Sequence, residues 1–193
     1  MGRKYPDLEK LSQKVAQALE RAKINYAFVG GIGAWYHGSP RVTYDIDVLA
    51  EVTKENLKEL VKEFKRFGFR INYQDVLLLV TDSNRIIAEI PAYPAPVRID
   101  LWLPKSKMSK ITLKRRQVGR IKGKNSWISS PEDLILEKIR TARSRDLTDV
   151  MGIIAIKKEV LDYNYLFSQA KILGIEKELK RILKQAKEEI GKY

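Results

Sequence analysis

The stretch Phe28-Val29-Gly30-Gly31-Ile32-Gly33-Ala34-Trp35-Tyr36-His37-Gly38-Ser39-Pro40-Arg41-Val42-Thr43-Tyr44-Asp45-Ile46-Asp47-Val48 decides how the rest of the chain is read. It opens on a short apolar run that ends in paired glycines. It closes on two carboxylates with one apolar residue between them. Read as a strand, Asp45-Ile46-Asp47-Val48 alternates faces, so the two acids point one way while Ile46 and Val48 point into a core. Two carboxylates on one strand face repel unless a cation lies between them. The simplest candidate is a hard divalent metal with oxygen ligands.

Outward from this stretch, the chain has 193 residues, enough for one sizeable domain or a domain with a helical appendage. It has no cysteine and one histidine, His37, which excludes disulfides, thiolate metal sites and a multi-histidine zinc site within one chain. The longest aliphatic run, Val76 to Val80, is too short to span a bilayer. The N-terminus lacks a signal-peptide apolar segment, and the expectation is a soluble cytoplasmic protein with no membrane partner. Net charge is +13 and uneven: residues 1–100 hold 15 basic and 13 acidic side chains, the remainder 22 and 11. From Lys105 to Lys124 there are nine basic residues and no acid. Such a field attracts polyanions, RNA or DNA first; the alternative is a solvated, self-repelling loop or ribbon.

The pattern predicts a helix from Asp7 to Ala22 with Asp7 as N-cap, a strand over 25–29, a short helix over 32–37 and the carboxylate strand over 44–50. Thr53 is expected to cap an amphipathic helix that Gly68 ends. Strands are expected over 69–72, 76–81, 85–90 and 97–103, with Asp82-Ser83-Asn84 as a hairpin turn. Further strands fall near 117–122 and 126–128. Ser130-Pro131-Glu132-Asp133 starts a helix, with Ser at the N-cap and Pro at the first position. Helices over 146–156, 163–173 and 176–190 complete a helical C-terminal third. The composition shifts near residue 130, so residues 1–129 are expected to form a core and residues 130–193 a helical lobe packed on it.

Phosphoryl chemistry with two metals needs carboxylates that hold cations roughly 3.5–4 Å apart, with a third acid from a neighbouring strand. Asp100, in Val97-Arg98-Ile99-Asp100-Leu101, is that acid: it lies inside an otherwise apolar strand, where burial is costly without a partner. Glu89 is the poorer candidate, beside Pro91. Gly30 and Gly31 let the backbone turn sharply and approach a ligand closely.

Val29-Gly30-Gly31, thirteen intervening residues and Asp45-Ile46-Asp47-Val48 resemble the nucleotidyltransferase-fold signature, and Asp100 matches its third carboxylate. The piece Gly38-Ser39-Pro40-Arg41-Val42-Thr43-Tyr44-Asp45 is similar to the AbiEii group, which includes toxins of toxin–antitoxin systems and the MenT transferases. Ser130-Pro131-Glu132-Asp133-Leu134-Ile135-Leu136-Glu137-Lys138 and Arg145-Asp146-Leu147-Thr148-Asp149 resemble that group's later motif. The likeness spans about residues 25 to 155. Gly31 stands where many relatives have Ser, and the chain is shorter than typical members of the group.

The resemblance implies an α/β (α+β) nucleotidyltransferase-like mixed sheet flanked by helices, with a C-terminal helical lobe. It implies that Gly30 and Gly31 admit the nucleotide's phosphates to backbone amides. Asp45, Asp47 and Asp100 would hold Mg²⁺ or Mn²⁺, with Asp100 alternatively drawing the proton from the acceptor hydroxyl. Lys138 would meet the triphosphate, or be an ordinary surface lysine. Asp146 would orient Lys138 or touch the base or ribose, or cap the next helix. Asp149 reads as a helix surface acid, His37 as structural, and Arg41 as a phosphate ligand or a counter-charge to the acids. The reaction implied is metal-dependent transfer of a nucleoside monophosphate from an NTP to a hydroxyl. RNA, as a tRNA 3′ end, is the leading acceptor through the basic segment 105–124. Protein and small-molecule hydroxyls follow, a cognate antitoxin is a candidate partner, and the alternative is a catalytically idle protein that binds nucleic acid or a partner chain.

Overall fold

The computed structural model describes residues 6–39, 43–92, 95–141 and 143–190. The chain divides into two compact units. The first comprises Met1–Ile32 and Thr43–Ser129, the second Gly33–Val42 and Ser130–Tyr193.

The first unit is built on a six-stranded mixed sheet of β1 (Tyr26–Phe28), β2 (Asp45–Ala50), β3 (Arg85–Ile90), β4 (Val97–Trp102), β5 (Gln117–Ile121) and β6 (Lys124–Ile128). Their order is β3-β4-β2-β1-β6-β5. The β4–β2 and β1–β6 pairs are parallel and the other three antiparallel. The sheet has one apolar face. Ile46, Val48 and Ala50 of β2 lie there, in line with Phe28 and Tyr26 of β1 and flanked by Ile99 and Leu101 of β4, all buried. Tyr26 Oη donates to Glu20 Oε1 of α1 (Leu8–Arg21), so α1 covers this face. Burial there pushes the Tyr26 phenol well above its ordinary range, with the Glu20 charge adding to the effect. Asp7 caps α1 as expected, its carboxylate accepting from the Lys10 amide at 3.0 Å. The stripe Val15, Ala18 and Leu19 is buried.

Four expectations in this unit need correction. The helix after β2 is α3 (Leu57–Arg66), and Asn56 rather than Thr53 holds its cap position; the Thr53 amide donates to Asn56 Oδ1. The run 76–81 belongs to α4 (Tyr73–Asp82), not to a strand. A short apolar run does not distinguish the two by periodicity, and here Asn72 accepts from the Gln74 amide and turns the chain into a helix. The segment 69–72 contributes one bridge, Arg70 to Glu89, and 82–84 joins α4 to β3 rather than closing a hairpin. The first half of the basic segment is also helical: α5 (Lys107–Lys114) opens on a capping box between Ser106 and Ser109. The second half is the β5–β6 hairpin, turned on Lys122 and Gly123, both with positive φ (49° and 81°), as a two-residue type I′ turn requires.

The other face of the sheet is polar over β2 and β4 and sealed at one end. There Leu113 of α5 packs with Ala27, Leu49, Val29 and Trp102.

The second unit contains α6 (Pro131–Thr141), α7 (Ser144–Lys157), α8 (Tyr163–Leu173) and α9 (Glu176–Ile190). The chain enters it along α2 (Gly30–His37). Ser130 Oγ accepts from the Asp133 amide at 3.1 Å, the cap the sequence predicts. Tyr165 Oη donates to Asp133 Oδ1 at 2.5 Å and ties α8 to α6. Gly174 ends α8 in the left-handed conformation. Among the described residues no helix is long and apolar enough to cross a membrane.

Candidate active site

The acids of the first unit meet through the parallel pairing of β2 with β4. Asp47 stands opposite Asp100 and Asp45 opposite Arg98. Neighbouring strands lie about 4.8 Å apart, so these four side chains share one patch of the polar face. Asp100 is 1% exposed. The partner its burial demands is Arg98, whose Nε and Nη2 both lie 3.0 Å from Asp100 Oδ2, while Nη2 is 3.7 Å from Asp45 Oδ2. Arg85 Nη1 stands 3.7 Å from Asp100 Oδ1, beyond hydrogen-bond reach, and that oxygen is buried without a hydrogen-bond partner among the described residues. Asp45 Oδ1 accepts from Thr43 Oγ1 at 2.8 Å. Asp47 Oδ1 accepts from the Trp102 indole at 3.0 Å, and the Arg85 guanidinium lies 5.1 Å from that indole ring.

The paired glycines are explained by the same strand. Gly30 has φ +54°, and a Cβ there would come 2.2 Å from Asp47 Oδ2. A Cβ on Gly31 would come 2.4 Å from Thr43 Oγ1. The first turn of α2 thus lies against the side chains that begin β2. The Asp47 carboxylate sits beside a helix N-terminus, where negative charge is favoured.

As a donor set, three carboxylates with one unsatisfied buried oxygen fit a hard divalent cation. In position they turn elsewhere. Among the described residues no group of three or more His, Cys, Asp or Glu side chains is gathered to hold a metal ion. Arg98 draws Asp100 and Asp45 to itself instead.

A second charged cluster lies in the second unit. Lys138 Nζ of α6 is 2.5 Å from Asp149 Oδ2 and 3.6 Å from Asp146 Oδ1, both on α7. Asp149 Oδ1 accepts from Ser39 Oγ at 2.6 Å, and Asp146 Oδ2 from Thr141 Oγ1 at 3.0 Å. Lys138 is 5% and Asp149 0% exposed. Asp149 is therefore no surface acid, and Lys138 no surface lysine. The cap position of α7 belongs to Arg143, with Asp146 inside the first turn. Gly38 lets the chain pass close to α7, since a Cβ there would come 2.6 Å from Ile156. His37 is buried edge-on to Tyr36, ring centroids 5.1 Å apart. Arg41 lies outside the described residues.

Sequence reasoning missed Arg98, Trp102 and Thr43. Arg98 carried a signal, a cation two residues before the buried acid on the same strand face. Trp102 and Thr43 depend on register and on the path into β2, and nothing local announces them.

No protein-family model matches the sequence, and no curated protein does. Solved structures match over most of the chain. It is similar to an antigenic nucleotidyltransferase-like protein from Paracoccidioides brasiliensis, with TM-score 0.61 and 20% identity over 95% of each chain. It is similar to ANT(2″)-Ia in complex with adenylyl-2″-tobramycin, with TM-score 0.56 and 14% identity over 87% of this chain and 95% of that one. The lincomycin-bound lincosamide antibiotic adenylyltransferase LnuA matches with TM-score 0.53 and 12% identity, over 80% of this chain and 99% of its own. The fold is nucleotidyltransferase-like, a mixed sheet flanked by helices with a C-terminal helical lobe. The narrower likeness to AbiEii and MenT proteins rests on the sequence motifs alone.

Proposed function

We propose that the protein transfers a nucleoside monophosphate from an NTP to a hydroxyl, with Mg²⁺ or Mn²⁺, and that RNA is the acceptor. The observation that carries this reading is the β2–β4 register, which sets Asp47 beside Asp100 on a face that also bears Asp45 and adjoins Gly30. Asp45, Asp47 and Asp100 would hold the metal once Arg98 gives up its place, and the metal would supply positive charge at the transferring phosphoryl group. Trp102 and Thr43 orient Asp47 and Asp45 through hydrogen bonds. Asp100 Oδ1, which has no hydrogen-bond partner among the described residues, would take the proton of the acceptor hydroxyl. The amides of the first turn of α2 lack intrahelical acceptors and receive the phosphates beside Gly30 and Gly31.

Lys138 enters the proposal differently from what the resemblance implies, while Asp146 keeps the part of orienting Lys138. Burial and pairing with Asp149 support a positioning part, in which Lys138 fixes Ser39 through Asp149, in place of direct contact with the triphosphate. The acid-free run 105–124 supports an RNA acceptor. The AbiEii and MenT resemblance adds a toxin–antitoxin setting with a cognate antitoxin as partner.

A small hydroxyl compound is the second reading. A cavity of about 550 Å³ lies along β3, lined by Ile87, Glu89, Arg70 and Asp75 among others, and Ile87 pairs with Asp100 in register. Two of the similar solved structures were determined with an antibiotic or its adenylylated product.

The test incubates the protein with Mg²⁺, each α-labelled NTP in turn, and total RNA, total protein or a panel of hydroxyl compounds. Label entering RNA is expected. Transfer to none of these, with no NTP binding, sinks the reading. Asp45→Asn and Asp47→Asn are each expected to abolish transfer with the fold intact, and wild-type activity in the double variant refutes the metal assignment.

A further inference from the structure

α5 carries Lys107, Lys110 and Lys114 at spacings of three and four, which sets them along one face of the helix with neighbouring Cβ atoms about 5–6 Å apart. Its other side is anchored by Leu113 and Thr112, both buried. Beneath the lysines lies a cavity of about 280 Å³ whose polar lining is Lys110, Lys114, Arg116, Asn25 and Glu51. Arg116 is held in a fixed pose. Its Nη1 donates to the Leu113 carbonyl at 2.6 Å and its Nη2 to Asn25 Oδ1 at 3.2 Å, while its guanidinium lies 4.6 Å from the Trp127 ring centroid. Asn25 Nδ2 in turn donates to Glu51 Oε2 at 2.9 Å, so the one acid in the wall is engaged by an amide. Lys110 and Lys114 are exposed and form no ion pair among the described residues.

Three cations, one pre-set by stacking and two exposed, face a single acid. A site of this kind takes anionic oxygens. It offers an acidic peptide no exposed large apolar side chain to anchor on, since none of its lining is in that class. It is also separate from the carboxylates. Glu51 follows the last residue of β2, whereas the acids stand at the start of that strand. At about 3.3 Å per residue, the cavity's Glu51 lies roughly 13 Å along the chain from Asp47 and roughly 20 Å from Asp45. That span accommodates a few nucleotides of extended strand.

We propose that the cavity under Lys110, Lys114 and Arg116 is a binding site for the phosphodiester backbone of single-stranded RNA, which grips the acceptor several nucleotides away from its reacting hydroxyl. The assignment rests on the reading of RNA as the acceptor. It adds a point of attachment at the far end of β2, independent of the base at the reacting end, so affinity there is insensitive to sequence and sensitive to salt.

The test titrates a fluorescent, unstructured oligoribonucleotide against the full-length chain and its Lys110→Ala/Lys114→Ala variant at several salt concentrations, by anisotropy. Both lysines are exposed, and matching circular dichroism melts establish that the variant is folded. The variant is expected to bind about tenfold more weakly at low salt, with a log–log salt slope shallower by about 1.4, roughly 0.7 for each phosphate that the variant no longer neutralises. Equal affinity and slope in the two proteins overturn the site. So does a poly-glutamate peptide that displaces the RNA as well as unlabelled RNA of equal charge does. NTP binding, measured on the same preparations, reads the acid site separately. RNA binding lost in the variant with NTP binding intact supports both readings. RNA binding lost in the variant while the wild-type protein binds no NTP keeps the site and overturns nucleotidyl transfer.

Discussion

The protein has two clusters in which carboxylates outnumber cations, and they differ in how firmly the cation is held. On the sheet, Asp45, Asp47 and Asp100 face Arg98 and Arg85, and the Arg98 side chain is 47% exposed. Among the helices, Asp146 and Asp149 face Lys138, which is 5% exposed. A half-solvated guanidinium is hydrated in place and can move aside into water, although the Asp100 carboxylate it leaves is itself buried. A buried ammonium is enclosed together with its carboxylates and has no such path. The first cluster thus has a counter-charge that solvent reaches and the second one that it does not. The same side-chain chemistry stands in two settings, and burial of the cation is the difference.

The largest expected effect breaks the fixed cluster. Lys138→Met takes the buried ammonium away from Asp149 and Asp146 and is expected to cost about 3–5 kcal/mol of stability. A shift in the urea midpoint measures it, and added Mn²⁺ is not expected to restore it. A midpoint equal to that of the wild-type chain removes the contrast between the clusters. Gly30→Ala comes next, at about 1–3 kcal/mol, since the backbone there has positive φ and the new methyl meets Asp47. A thermal melt reads the loss, and an unchanged melt shows that the first turn of α2 gives way freely.

Arg98→Ala sharpens the comparison most directly. It is expected to lower metal-free stability by about 1–2 kcal/mol, because Asp100 loses its charge-assisted hydrogen bonds. It is also expected to tighten Mn²⁺ binding, so that Mn²⁺ restores the midpoint. Calorimetric titration with Mn²⁺ checks this, and weaker Mn²⁺ binding in the variant shows that Arg98 supports the metal rather than standing in its place. Thr43→Val has the smallest expected effect, about 0.5–1 kcal/mol, because Asp45 is partly exposed and water replaces the lost donor. Denaturant unfolding reads it, and a cost above that range shows that the Thr43 side chain excludes water from Asp45.

Much of the frame was legible because short polar punctuation marks its edges. Strand Arg85–Ile90 and helices Tyr163–Leu173 and Glu176–Ile190 fall where the sequence pattern places them. Residues 76–81 were not legible: Val76 to Val80 is as apolar as a strand, and only the Asn72 side chain decides for helix. α5 was hidden because its lysines dominate the reading, while its capping box rests on two serines. Asp45, Asp47 and Asp100 were legible as a set because alternation in a strand is local. Their partners were not. That Arg98 spans two of them depends on the β2–β4 register, and that Lys138 is paired and buried depends on how α6 packs against α7. Asp149 was misread for the same reason, since an acid on a helix has no local mark of burial.

The hairpin of β5 and β6 has a further consequence. β5 is one border of the sheet, and a border strand presents unpaired backbone groups to any strand that approaches. Arg120 lies on that border, Lys122 sits in the turn beside it and Lys124 follows the turn. Like charges on a border strand disfavour the addition of a second copy's strand to the sheet. Removing this charge is expected to bring turbidity on concentration before any loss of fold.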